Sequence, residues 1–141
     1  MDTILSKQGS KLTCPVAIFI KEGKILLGYR HYTAEKWKNI SVWTVPGGRC
    51  DEGETIEQTL RREVYEETGI KNFDIKNYIG EVPGAKEGDI VPIFIAETND
   101  NPTLMEPEKF SEWAWFKITE IPENFINKKT RELIMNSKGF L

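Results

Sequence analysis

The chain has 141 residues, of which 39% are hydrophobic and 11% aromatic, with a formal net charge of −3. That length supports one domain, 1–141, with a real core, and the composition is globular rather than disordered. The charge argues against a surface built for nucleic acid or anionic lipid, and no run approaches the roughly 20 apolar residues that span a bilayer.

The opening "MDTILSKQGSKLTCP" holds no apolar run suited to a signal peptide. Cys14 and Cys50 form no CxxC pair and read as reduced, mostly buried thiols, which fits a cytoplasmic protein. Residues 14–20 and 24–30 are apolar, β-branched runs, and Glu22-Gly23 between them predicts a hairpin. Residues 31–41, "HYTAEKWKNIS", read as a polar loop with scattered aromatics. A short strand at 42–45 stops at Pro46-Gly47-Gly48. A helical pattern covers 55–68, strands follow at 73–82 and 89–98, and Pro92 suggests a bulge or an edge position. A last strand is expected at 113–118 and a last helix at 128–137. Strands outnumber helices in mixed order, which predicts an α+β domain with helices packed on a mixed sheet.

The helix at 55–68 carries the most local information. Thr55 with Gln58 fits a capping box. Ile56, Leu60 and Val64 make an apolar stripe, and Gly69 is placed to end the helix in a left-handed conformation. The other side carries Glu63, Glu66 and Glu67, at spacings that put Cβ atoms about 5–6 Å apart. Arg62 can pair with Glu66 one turn on, so a solvated charged face is the plainest reading of the periodicity. Three acids near a helix C-terminus nevertheless oppose the helix dipole, which favours cations there. A divalent cation among them would relieve this. Oxygen ligands suit Mg²⁺, Mn²⁺ or Ca²⁺ rather than zinc, and His31 is the only histidine.

The wider stretch fits G-x5-E-x7-R-E-U-x-E-E-x-G-U, with U bulky and aliphatic. Gly48, Glu54, Arg62, Glu63, Val64, Glu66, Glu67, Gly69 and Ile70 meet every specified position. At ordinary residue frequencies a chance match is below roughly one in a million. The sequence therefore resembles the Nudix hydrolases. The resemblance implies an α/β/α sandwich around a central mixed sheet, and Mg²⁺-dependent hydrolysis of a nucleoside diphosphate linked to some group X, with Mn²⁺ able to substitute. Cations would neutralise the anionic pyrophosphate oxygens and activate water. By the same resemblance Glu63, Glu66 and Glu67 are the metal ligands, with the Gly47 carbonyl as a further one. One of these carboxylates, or one on a later loop, would serve as base. Arg62 would orient Glu63 or Glu66, and Gly47 and Gly48 would let the backbone turn tightly beside the metals. Many relatives are dimers, so a homodimer stays open.

Outside that stretch the substrate signal is weaker. Residues 106–122, "EPEKFSEWAWFKITEIP", resemble the matching segment of Nudix enzymes that hydrolyse nucleoside triphosphates. Glu108 and Glu112 fall where a loop carboxylate could reach the metals. Trp113 and Trp115 share one side of a strand and read as core. Arg30 ends "ILLGYR" and is a candidate for substrate phosphates. His31, Tyr32 and Trp37 are candidates to contact a base. No Ser-Gln-Pro-Trp-like stretch follows, which argues against NADH hydrolysis. The expectation is a (deoxy)nucleoside triphosphate pyrophosphatase with a small nucleotide as its partner. Other diphosphates remain alternatives, and the complete carboxylate set argues against a silent nucleotide sensor.

Overall fold

The computed structural model describes residues 1–32 and 40–137. Trp37 and most of the expected 31–41 loop lie outside the described residues. The elements in chain order are α1 (Asp2–Leu5), β1 (Val16–Lys21), β2 (Lys24–Tyr32), β3 (Ile40–Thr44), α2 (Ile56–Thr68), β4 (Phe73–Pro83), β5 (Ile90–Thr98), β6 (Phe110–Lys117), a 3-10 turn at Ile118–Glu120, and α3 (Lys128–Asn136).

The sheet is mixed, in the order β3-β2-β1-β5-β4 with β6 on the other edge of β2. β1 runs parallel to β5, from Val16↔Ile93 to Phe19↔Ala96. β1 pairs with β2 only beside the hairpin turn, at Ile20↔Ile25 and Lys21↔Lys24. That turn holds Glu22 at φ 53° and Gly23 at φ 75°, the left-handed pair a two-residue hairpin requires. Further along the same edge β3 replaces β1, from Gly28↔Thr44 to Tyr32↔Ile40. A fork opens between β1 and β3, and the chain leaving β3 runs into it. Ala17 N–H donates to the Pro46 carbonyl at 2.9 Å and Gly48 N–H to the Pro15 carbonyl at 3.1 Å. The fork is what places Gly47 and Gly48.

Each face of the sheet has its own core. One holds Phe19, Leu26, Phe94 and Ala96 under Ile56, Leu60 and Val64 of α2, with Trp113 and Trp115 packed against it. The other holds Ile18, Ile25, Leu27 and Ile93 under Ile134 of α3, with Phe125. Leu60 and Val64 are fully buried, so the predicted stripe is the buried face of α2. The capping box is present, with Thr55 Oγ1 accepting from Gln58 N–H and the Gln58 side chain accepting from Thr55 N–H. Gly69 ends the helix at φ 74°.

Two expectations need correction. The ends of the expected 31–41 loop are strand: His31 and Tyr32 belong to β2 and Ile40 and Ser41 to β3, paired with each other. Pro92 is neither at an edge nor in a bulge, since β5 lies between β1 and β4. The register shifts fall between Ile75 and Asn77 and between Tyr78 and Gly80, both on β4. Pro92 instead occupies the gap between the isolated bridge Thr13↔Ile90 and the start of the β1–β5 ladder.

Candidate active site

The three glutamates of α2 start from one helical turn but end in different surroundings. Glu67 is buried, with its side chain 7% exposed. Its Oε1 accepts from Gly47 N–H at 2.9 Å, and Arg30 Nη1 stands 3.9 Å from Oε2. Burial dominates and pushes the carboxyl up to about 8, opposed by the Gly47 donor and Arg30 and reinforced by Glu63 and Glu106. Glu63 is partly buried, and burial raises its carboxyl against the pull of Arg62. Glu66 is exposed and takes Arg62 Nη1 at 3.0 Å. The helix face is therefore not uniformly solvated: Glu67 turns inward, toward the fork.

Arg62 is the hub beneath these acids. Its Nε and Nη2 donate to Glu54 at 2.8 and 2.9 Å, and its Nη1 donates to Glu63 and Glu66, each at 3.0 Å. Nη2 also donates to the Arg49 carbonyl at 3.2 Å. The Arg62 bond holds the Glu54 carboxyl down to about 2, helped by Asp51 N–H and the Thr59 hydroxyl. Glu54 is thus the main partner of Arg62, beyond the one-turn pair with Glu66.

The glycines stand where a side chain would obstruct. A Cβ at Gly48 would come within 2.5 Å of Glu63 Cδ. Gly47 has φ 148°, and a Cβ there would strike the Pro15 carbonyl. Arg49 fastens the next step, gripping buried Asp89 with Nη1 at 2.8 Å and Nη2 at 2.9 Å. Asp89 also accepts from Lys86 N–H, and so ties the β4–β5 turn to this loop.

Among the described residues, no three acidic, cysteine or histidine side chains stand close enough as they are to share one ion. The cause is visible in the contacts: Arg62 engages Glu63 and Glu66, while Glu67 faces Gly47. The donor set still fits a hard cation. All its side-chain donors are carboxylates, two already meet around one positive charge, and buried Glu67 needs a nearby cation to stay ionised.

A cleft of about 450 Å³ is lined by Arg30, Tyr32, Gly47, Gly48, Glu67, Lys128 and Lys129. Glu108 and Glu112 are exposed and line no part of it. Glu106 is the loop acid whose charge is felt at Glu67. His31 Nδ1 lies 2.7 Å from Ser41 Oγ across β2 and β3. The part of the lining supplied by 83–85 and 125–130 escaped the sequence reading. Asn127 was its available signal, since its side chain caps α3 by accepting from Lys129 and Thr130 N–H.

A family profile described as NUDIX domain matches residues 11–136. The chain belongs to the Nudix family. It is 34% identical over 119 residues to an NAD-capped RNA hydrolase NudC of Mannheimia succiniciproducens, a match covering 83% of this chain and 44% of that protein. The chain spans less than half the length of such curated relatives. The fold is similar to that of a MutT protein from Methanosarcina mazei Go1, with a TM-score of 0.73 at 22% identity, covering 96% of this chain and 97% of that one. It is also similar to a C. elegans Ap4A hydrolase in a binary complex, with a TM-score of 0.72 at 20% identity, covering 92% and 96%. The Nudix fold expected from the sequence is therefore the fold observed. Likeness at such identities speaks for the fold alone.

Proposed function

We propose that this Nudix domain is a Mg²⁺-dependent pyrophosphohydrolase of nucleoside diphosphates linked to X. Its substrate is a (deoxy)nucleoside triphosphate, cleaved to a nucleoside monophosphate and pyrophosphate. The observation that carries this reading is the charge layout of one cleft. Buried Glu67, with Arg30 beside it, lines the same cleft as Lys128 and Lys129. The carboxylate in the cleft suits a divalent cation, and the cations that share the cleft suit the remaining phosphate charge.

Glu63, Glu66, Glu67 and the Gly47 carbonyl would hold Mg²⁺, with Mn²⁺ as a substitute. The ion supplies charge neutralisation at the phosphates and a more acidic water. The protein's part is positional. Arg62 holds Glu63 and Glu66 at 3.0 Å each. Gly48 leaves room for the Glu63 carboxylate. Arg30 lines the cleft with its side chain 24% exposed, which offers its guanidinium to a phosphate oxygen. Glu108 and Glu112 take no part in this reading.

The NudC relatives favour a second reading, cleavage of the diphosphate of an NAD-type cap on RNA. The missing Ser-Gln-Pro-Trp-like stretch weighs against it. A screen in ¹⁸O-labelled water separates the two. It covers nucleoside triphosphates, modified deoxynucleotides, NDP-linked compounds and NAD-capped RNA. The proposal expects Mg²⁺-dependent pyrophosphate release from triphosphates. Preferred cleavage of the capped RNA would replace it with the second reading, and uniform inactivity would leave a nucleotide sensor.

A further inference from the structure

Trp113 sits in β6 opposite Gly28 of β2. A Cβ at Gly28 would lie 2.7 Å from its indole, so the ring packs directly on the β2 backbone. From there Nε1 donates to the backbone carbonyl of Glu67 at 3.1 Å. That carbonyl belongs to the last turn of α2, where carbonyls lack intrahelical partners. The next one, of Thr68, is taken by Thr103 N–H at 2.7 Å. The end of α2 is therefore fixed by donors from other elements.

The same surface also reaches the Glu67 carboxylate. The Phe110 ring lies 4.6 Å from that of Trp113. The Arg30 guanidinium lies over Phe110 at 5.2 Å and over Tyr32 at 4.7 Å, and Arg30 stands beside Glu67 Oε2. Backbone and carboxylate of Glu67 are thus both referenced to the β2–β6 face. Trp115 packs on the same core but makes no indole hydrogen bond among the described residues.

We infer that Trp113 is a positioning residue for Glu67: its indole N–H sets the last turn of α2 so that the carboxylate is presented to the Gly47 loop and the metal. The inference rests on the metal-dependent reading above. Loss of a partner that orients a metal ligand typically lowers affinity or activity about 10- to 100-fold.

The test compares Trp113→Phe with Trp115→Phe, which removes a neighbouring indole from the same core. Mn²⁺ affinity is measured by electron paramagnetic resonance without nucleotide, and kcat and KM are measured with it. Trp113→Phe is expected to weaken Mn²⁺ binding and lower kcat by about 10- to 100-fold, with KM for the nucleotide little changed. Trp115→Phe is expected to keep wild-type Mn²⁺ affinity. Equal Mn²⁺ affinity in both variants overturns the inference. Should Trp113→Phe fail to fold, the wild-type ¹H–¹⁵N indole signals decide. Mg²⁺ should shift that of Trp113 and leave that of Trp115 in place; an unmoved Trp113 signal overturns the inference. Absence of turnover on every diphosphate would sink the proposed substrate while leaving the Mn²⁺ and indole comparisons informative.

Discussion

Replacing Arg62 with Met keeps the aliphatic stem and removes the guanidinium that ties the acids together. Its pairs with Asp51 and Glu66, whose side chains are 73% and 45% exposed, contribute a few tenths of a kcal/mol at most. The pair with Glu54 carries more, because that side chain is only 18% exposed and takes two bonds, at 2.8 and 2.9 Å. Bonds to charged groups contribute about 1.5–3 kcal/mol. Partial solvent access at Arg62, 28% exposed, brings the whole loss to about 2–3 kcal/mol. At about 3 °C per kcal/mol for a chain of this length, Arg62→Met should lower Tm by about 6–9 °C. A double-mutant cycle with Glu54→Gln should return a coupling of about 1–2 kcal/mol. The pH dependence carries the same signature. Glu54 is held near 2, below its unfolded value of about 4.3, so the stabilisation is present above that value and disappears as pH falls toward 2. Arg62→Met should flatten this acid limb. Additive single effects, or an unchanged acid limb, would refute the reasoning.

The remaining predictions are more local. Gly48→Ala should fold, since Gly48 is not among the positive-φ glycines, yet push the Glu63 carboxylate aside and lower kcat by about tenfold or more in a steady-state assay. Glu66→Gln and Glu67→Gln should each reduce turnover by about 10²-fold or more while circular dichroism stays native. Asp89→Asn should remove stability present above pH about 4, because Arg49 holds the Asp89 carboxyl at about 2; equilibrium denaturation at pH 7 and pH 3 should show the variant's deficit shrinking at the lower pH.

What the sequence revealed was what depends on near neighbours. The Thr55–Gln58 box, the Ile56/Leu60/Val64 stripe and Gly69 are all set within four residues of their partners, and α2 appears where they place it. What it hid depends on distant pairing. The ends of β2 and β3 were obscured because polar residues there are held by cross-strand bonds, among them His31 with Ser41. Pro92 misled because a central strand can carry a proline where its neighbour's ladder has not yet begun. At the site, the glutamates could be named but not told apart. Only the fork between β1 and β3 makes Glu67 buried and leaves Glu66 in water. Glu106 was passed over for Glu108 and Glu112 because spacing along a loop does not say which acid's charge reaches Glu67. The Trp113–Glu67 bond spans 46 residues and has no local signal.

Crystals soaked in Mn²⁺ and measured for anomalous scattering test the central claim most directly. The account predicts a peak among Glu63, Glu66 and Glu67 beside the Gly47 carbonyl, with Glu66 turned away from Arg62. Carboxylates left as they stand, with no peak between them or a peak elsewhere, would contradict it.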